Sequence, residues 1–186
     1  MRKLTTQEMG RMTTDEFKQA QKLPLVVVLD TVRSMHNVGA VFRTADAFRI
    51  DKIYLCGCTA TPPNAEIHKT ALGAENTVDW QYAEDTKQVI EQLLAENYKI
   101  YSVEQATDSI NLSDLLQNKQ ILDSMGEKIV VVMGHEVFGV QQEIVDMSHG
   151  CIEIPQYGTK HSLNVSVAAG IVMYVLSEGL RAKNKE

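Results

Sequence analysis

The sequence lacks the features of a secreted, membrane-spanning or metal-dependent protein. Its 186 residues contain only three cysteines, Cys56, Cys58 and Cys151. An odd number of cysteines favours reduced thiols in a cytoplasm over a disulfide framework, and a lone Cys-x-Cys pair is weak support for a metal site. No apolar run reaches the roughly 18 to 20 residues needed to span a bilayer, and the first residues lack the apolar core of a signal peptide. We therefore expect a cytoplasmic protein with no metal and no membrane partner.

Two nucleotide-binding motifs and one serine-hydrolase motif are missing as well. The first apolar run is not followed by G-x-G-x-x-G, the pattern G-x-x-x-x-G-K-[ST] is absent, and no G-x-S-x-G turn occurs. These absences argue against a doubly wound dinucleotide site, a P-loop and a serine-nucleophile turn. The five histidines lack the close spacing of a zinc site, so each is expected to be a surface or hydrogen-bonding residue.

Positive charge is scarce overall and unevenly distributed. The net charge of −6 argues against a protein that coats nucleic acid non-specifically. Residues 1–23 hold five basic and three acidic residues, whereas residues 84–127 hold nine acidic residues and three lysines. A phosphate-bearing partner is therefore expected on one side, with the acidic segment solvated. Charge alone is equally compatible with an ordinary charged surface.

Apolar runs alternate with helical patterns along the chain. Leu25–Leu29 and Ile129–Met133 are wholly apolar and short enough for strands buried on both faces. Asn37 is placed as the N-cap of a helix that follows the first of these strands. The alternation predicts an α/β domain with a mainly parallel sheet flanked by helices. Further strands are expected over Ile53–Cys56, Val78–Tyr82, Tyr98–Val103 and 151–154, and further helices from Thr14, before Gly73, and over Thr86–Asn97, Gln141–Met147 and 163–176.

Three loops that follow predicted strands are rich in Gly, Asn, Ser, Arg and Glu. They span residues 30–43, 134–140 and 155–166. In parallel sheets, ligands bind at the carboxyl ends of the strands, so these loops indicate a candidate active site. Ordinary turns are the alternative, because turns favour Gly, Asn and Ser in any case.

The helix expected over 163–176 is apolar on more than one face. A single sheet cannot cover two faces of one helix, and a partner subunit is the alternative cover. Polar residues stand at its start, where they are either caps or the wall of a ligand site.

The three loops also carry a resemblance to a known family. The sequence NVGAVFRTADAF over 37–48, VVMGHEVFGV over 131–140 and IPQYGTKHSLNVSVA over 154–168 resemble, in order, the three signatures of the SpoU (TrmH) family of RNA ribose 2′-O-methyltransferases. The resemblance spans most of residues 25–176. It implies a SPOUT-class fold with a C-terminal trefoil knot, and a homodimer in which Arg43 acts within its own subunit or across the interface. The corresponding domains are an N-terminal arm over 1–23 that is a candidate for RNA contact, a catalytic domain over 24–180 and a basic tail over 181–186.

The resemblance further implies S-adenosylmethionine as cofactor and RNA as substrate, with tRNA slightly favoured over rRNA because little extends the catalytic core. Cofactor contacts are implied, largely through backbone groups, for Gly134, Gly139, Ile154, Pro155, Gly158 and Leu163. Catalytic roles are implied for Asn37, Arg43, Glu136, Ser162 and Asn164. Among these, the guanidinium of Arg43 suits a bidentate contact with an RNA phosphate.

Each residue also has a purely structural interpretation. Arg43 can pair with Asp46 three residues further on, Glu136 can be a first-turn carboxylate of a helix, and Ser162 and Asn164 can be caps. For the whole chain, the alternatives are a non-catalytic RNA-binding module with the same fold and a methyltransferase that acts on a base. The three signatures together favour ribose methylation over both.

Overall fold

The computed structural model describes residues 1–5 and 7–183. Seven strands form one sheet in the order β3-β2-β1-β6-β4-β7-β5, and every pair of neighbours is parallel. The strands are β1 Leu23–Asp30, β2 Ile50–Cys56, β3 Asp79–Ala83, β4 Lys99–Val103, β5 Ile110–Asn111, β6 Ile129–Met133 and β7 Gly150–Glu153. The helices are α1 Thr14–Gln19, α2 Met35–Phe48, α3 Ala65–Ala71, α4 Thr86–Ala95, α5 Leu112–Gln117, α6 Lys119–Ser124, α7 Gln142–Met147 and α8 Val165–Lys183.

The centre of the sheet is built from the two wholly apolar runs. β1 and β6 are neighbours, and β6 is buried along its whole length. One apolar cluster packs on each face of the sheet. Valine and leucine on both faces of a central strand require helices on both sides, which is the arrangement observed. The predicted α/β class with a mainly parallel sheet is confirmed.

The N-terminal segment contains one short helix. The α1 helix begins after Thr13, whose side chain and that of Glu16 form a capping box, and it buries Phe17 against the core. The sheet begins at Leu23, the last residue of the arm expected over 1–23. At the other end, Arg181 and Lys183 of the expected basic tail belong to α8, and residues 184–186 lie outside the described residues.

One local expectation was wrong and another was incomplete. Asn37 is not the N-cap of α2, because Ser34 occupies that position and its Oγ accepts a hydrogen bond from the Asn37 N–H. The side chain of Asn37 is therefore free for other contacts. Residues 104–127 are polar, and their pattern predicts one or two helical turns; the structure adds the edge strand β5 to the helices α5 and α6 there. A strand of two residues, one half-buried and one exposed, is too short for an alternating pattern to reveal.

The connection between β4 and β5 crosses the end of another strand. Because β7 lies between those two strands in the sheet, residues 104–109 must pass over the carboxyl end of β7. The Ser109 hydroxyl donates to Glu153 at 2.7 Å and holds the crossing in place.

The long helix α8 packs on α2, β1 and α5. It runs alongside α2, with Gly170 next to Thr44 and the Tyr174 ring 5.9 Å from that of Phe48. Beside this contact α8 carries an exposed apolar stripe, Val167 (51%), Ile171 (37%) and Tyr174 (53%). By length and composition α8 also qualifies as a membrane span, which is weak evidence because core helices pass the same test.

Candidate active site

The carboxyl ends of β4, β6 and β7 surround a cavity of about 1010 Å³. Its walls are residues 103–108 after β4, residues 133–140 after β6, and residues 149–154 with 161–163 around β7. The cavity lies at the carboxyl ends of the strands, which is where a parallel sheet is expected to bind its ligand. A cavity of this size is at the upper end for a small-molecule cofactor site.

The loop after β6 is closed tightly by its two glycines. The His135 and Gly139 backbones exchange hydrogen bonds of 3.0 and 2.9 Å. A Cβ on Gly134 would lie 2.1 Å from the carbonyl carbon of Gly139, so only glycine fits there. Gly139 has φ +70°, a conformation that costs other residues energy. The result is a rigid wall that presents main chain to the cavity.

Glu136 joins this wall to the start of α2. Its carboxylate accepts hydrogen bonds from the backbone N–H groups of Arg33 at 3.0 Å and Ser34 at 2.9 Å. The amide of Asn37 donates to the same carboxylate at 3.2 Å. Glu136 is therefore not a first-turn residue of its own helix; it neutralises unpaired N–H groups at the N-terminus of another one.

The environment lowers the pKa of Glu136. Burial acts in the opposite direction and is the largest single effect, but the hydrogen bonds from Arg33, Ser34 and Asn37 together outweigh it. Glu136 is consequently an acceptor at neutral pH, with its charge held in a fixed position.

Asn164 connects the start of α8 to the same group. Its Oδ1 accepts from the Ser166 N–H at 2.9 Å, which confirms the capping role that its position suggested. Its Nδ2 donates to Asn37 Oδ1 at 3.1 Å. Ser166 Oγ bonds Asn164 Oδ1 at 2.7 Å and Asn37 Oδ1 at 3.4 Å. We call Asn37, Glu136, Asn164 and Ser166 the polar network.

Arg43 lies apart from the polar network. Its side chain is exposed on α2, and nowhere in residues 1–5 and 7–183 does a hydrogen bond or ion pair hold it. The structure does not form the suggested pair with Asp46, because that carboxylate accepts from the Thr77 hydroxyl instead. Arg43 does not line the cavity, and its guanidinium is available for a ligand.

The predicted cofactor residues divide into two groups. Gly134, Gly139, Ile154 and Leu163 line the cavity, as does the predicted catalytic residue Ser162. Pro155 and Gly158 do not line it. Gly158 has open space around its Cα, and its φ is not positive, so this bend does not require glycine.

Some residues of the site were missed by sequence reasoning. Ser166 was seen only as a polar residue at the start of a helix, although it completes the polar network. Glu104 and Gln105 line the cavity but belong to the acidic segment that was expected to be solvated. Their one sequence signal is their position directly after a strand, which is shared by every other loop.

The donor set suits an organic cofactor. The cavity combines apolar side chains such as Ile152, Ile154 and Leu163 with backbone groups of the loop after β6, which is the mixture typical of small-molecule and cofactor sites. Within the described chain, no group of three or more His, Cys, Asp or Glu side chains is arranged to hold a metal ion.

Comparison with known proteins gives consistent matches. The model of the SpoU rRNA Methylase family matches residues 24–174. A tRNA (guanosine(18)-2′-O)-methyltransferase from Aquifex aeolicus is 30% identical over 162 residues, which cover 86% of this chain and 71% of that protein. The 23S rRNA (guanosine-2′-O-)-methyltransferase RlmB of Neisseria meningitidis is 30% identical over 159 residues, covering 86% of this chain and 60% of the relative.

Solved structures show the same fold. The A. aeolicus TrmH/SpoU tRNA modifying enzyme superposes with a TM-score of 0.76 at 26% identity, covering 92% of this chain and 82% of that one. An AdoMet-bound rRNA methyltransferase from Sinorhizobium meliloti has a TM-score of 0.74 at 27% identity, covering 89% and 59%. The chain thus spans about three fifths of the length of some relatives and most of the length of others.

Proposed function

The chain belongs to the SpoU rRNA methylase family, and from this premise we propose that it transfers a methyl group from S-adenosylmethionine to the ribose 2′-hydroxyl of a nucleotide in tRNA or rRNA. The observation that carries the proposal is the polar network. Residues from all three signature segments meet there through hydrogen bonds of 3.1 to 3.4 Å, and Glu136 of this network also lines the cavity.

The cofactor is S-adenosylmethionine, which supplies a methyl group activated on a sulfonium sulfur. Gly134 and Gly139 keep the backbone of one wall close to it, and Ile154 and Leu163 cover its apolar surface. Pro155 and Gly158 act, in this proposal, by shaping the loop that carries Leu163. Ser162 remains a candidate for contact with the reacting end.

The chain contributes positioning more than acid–base chemistry. Glu136 fixes Asn37, and Asn37 fixes Asn164, so that the amides and the Ser166 hydroxyl form a preorganised polar surface for the ribose. Arg43 holds an RNA phosphate through its guanidinium fork. A guanidinium has no acceptor for the 2′-proton, so any help with removal of that proton depends on other groups.

We further propose that two chains form the working enzyme. The apolar stripe Val167, Ile171 and Tyr174 is exposed on α8, and a twofold partner is the simplest cover for it. Arg43 points to solvent from the neighbouring helix α2, so we place it opposite the cavity of the partner subunit. A C-terminal trefoil knot is also proposed, and it is supported by the crossing of residues 104–109 over β7.

We propose the class of RNA that is methylated and do not assign the nucleotide. The relatives named for tRNA and for rRNA are equally similar to this chain, so the proposal covers both classes of RNA, and the slight preference for tRNA stays a prediction. We assign the arm over 1–23 to RNA contact, the catalytic domain to residues 24–180, the basic tail to residues 181–186, and the reaction to the cytoplasm.

Labelled methyl transfer tests the proposal directly. The protein is incubated with methyl-labelled S-adenosylmethionine and, in separate reactions, total tRNA and total rRNA, and the product is hydrolysed in alkali. A 2′-O-methyl group blocks cleavage at its own phosphodiester, so label is expected in alkali-resistant dinucleotides. Label on a base would indicate the other reaction, and cofactor binding without transfer to either RNA would indicate a binding module.

A further inference from the structure

The two residues that follow β4, Glu104 and Gln105, each contact a different wall of the cavity. The Glu104 carboxylate accepts from the Val140 N–H at 3.1 Å, in the loop after β6. The Gln105 side-chain amide donates to the His161 carbonyl at 2.6 Å, in the loop after β7. Neither residue lies in any of the three signature segments.

Glu104 is fitted closely to its neighbours. Its second oxygen accepts from the Gln105 N–H at 2.9 Å, and its backbone N–H donates to the Ile152 carbonyl at 3.1 Å. A Cβ on Gly139 would lie 2.1 Å from Glu104 Oε2, so the glycine leaves the space that the carboxylate fills. The loop after β6 thus packs against the Glu104 carboxylate, and each oxygen of that carboxylate accepts a hydrogen bond from a backbone N–H group.

Gln105 acts on the loop that has few other contacts. Residues 155–164 connect β7 to α8 without regular structure, and Tyr157, Gly158, Thr159 and Lys160 are exposed. The bond from Gln105 reaches this loop two residues before Leu163, which lines the cavity. Without it, the position of Leu163 would depend mainly on the cap of α8.

We propose that Glu104 and Gln105 are positioning residues that hold the two cofactor-binding loops at a fixed separation. They act through the loops after β6 and β7. Because residues 104–109 also cross over β7, the pair stands where all three segments meet. The inference rests on the proposed function only in naming S-adenosylmethionine as the ligand.

The expected effects follow from the bonds that each residue makes. Glu104→Ala removes a charged acceptor and should weaken S-adenosylmethionine binding about 30-fold, whereas Glu104→Gln keeps one acceptor oxygen and should lose less. Gln105→Ala should weaken binding about fivefold to tenfold. Gln105→Glu should weaken it further, since a carboxylate would face the His161 carbonyl. The double alanine variant should lose less than the product of the single losses, because both residues fix the same separation.

Calorimetric titration with S-adenosylmethionine tests the proposal, alongside steady-state kinetics. Glu91→Gln on α4 and Gln81→Glu on β3 are matched controls, because both side chains are exposed and outside the cavity. Positioning predicts a raised Kd and KM for the cofactor with the KM for RNA nearly unchanged, and partial recovery in Glu104→Gln.

Two results would overturn the inference. One is a cofactor Kd within twofold of wild type in both alanine variants; the other is an equal loss in every kinetic constant, which would indicate general destabilisation. A wild-type protein that binds no S-adenosylmethionine would instead overturn the proposed function, so the two failures are distinguishable.

Discussion

The cavity and the surface formed by α2 and α8 differ in how many contacts they make within the chain. Around the cavity, three loops are joined to one another by hydrogen bonds, whereas on α2 and α8 the Arg43 side chain and the apolar stripe face solvent. Glu136, Asn164 and Gln105 each bond a segment distant in sequence, and among the described residues Arg43 bonds none. The contrast teaches that the chain ties the loops around its cavity, the proposed cofactor half of the site, to one another and leaves the surface at Arg43 open. Our proposal that a second chain completes the RNA half of the site rests on this difference.

The largest expected effect is the loss of methyl transfer when Arg43 is replaced. Arg43→Ala should reduce methyl transfer about 10²–10³-fold, the usual cost of removing one transition-state donor, with little change in cofactor Kd. Arg43→Lys should recover little, because an ammonium cannot form a bidentate fork. Transfer rates with saturating RNA and calorimetry with S-adenosylmethionine measure the two quantities, and Lys87→Ala on α4 is the control. If Arg43→Ala weakened S-adenosylmethionine binding as much as it reduced methyl transfer, the proposed separation of a cofactor half from an RNA half would be wrong.

The apolar stripe gives the next largest effect. Ile171→Asp places a carboxylate at the centre of the proposed interface, where an unpaired charge costs several kcal/mol. Sedimentation velocity should show a monomer that still binds S-adenosylmethionine but does not methylate RNA. Asp substituted for the exposed Leu116 on α5 is the control. A wild-type protein that is monomeric and active would contradict the account.

A smaller effect, on the stability of the fold, is expected from filling the tight contact at Gly134 in the loop after β6. Gly134→Ala forces a Cβ against the Gly139 backbone and should destabilise the fold by about 1–3 kcal/mol while abolishing cofactor binding. At Gly158 a Cβ meets open space, so Gly158→Ala should leave the stability of the fold unchanged. Chemical denaturation of the two variants measures the difference, and equal stability would show that the wall relaxes more easily than its contacts indicate.

The smallest effect concerns acid stability. The pKa of Glu136 is lowered in the folded protein from its ordinary value of 4.5. The hydrogen bonds of its carboxylate therefore stabilise the fold fully at pH values above 4.5, and this stabilisation is lost as the pH falls through the pKa of the folded state. Glu136→Gln should therefore reduce stability at neutral pH and show a flatter decline in acid. Unfolding free energies measured from pH 7 to pH 3 would reveal the change in slope. An unchanged slope would mean that Glu136 does not contribute to acid unfolding.

Sequence reasoning predicted the sheet better than the site. Strands such as Ile129–Met133 are continuous apolar runs, and burial on both faces leaves a pattern that is visible in one sequence. The signatures led to Asn37, Glu136 and Asn164, and the structure joins these three. Whether Arg43 and Ser162 have the roles proposed for them stays a prediction.

The parts that were missed depend on contacts between distant segments. Nothing local shows that Ser34, and not Asn37, caps α2, because both residues suit that position. Glu104 belongs to an acidic segment, and its contact with Val140 exists only because β4 and β6 are neighbours in the sheet. Pairings of this kind follow from strand order, which periodicity does not encode.

Complementation between two inactive variants tests the central claim most directly, namely that Arg43 of one chain serves the cavity of the other. Arg43→Ala keeps an intact cavity, and Gly134→Val keeps an intact Arg43; gel filtration first establishes that each folds and associates. If the site is shared, mixed dimers contain one complete site, and random mixing should restore about a quarter of wild-type transfer. If Arg43 acts within its own chain, no complete site forms, and the mixture should stay as inactive as either variant alone.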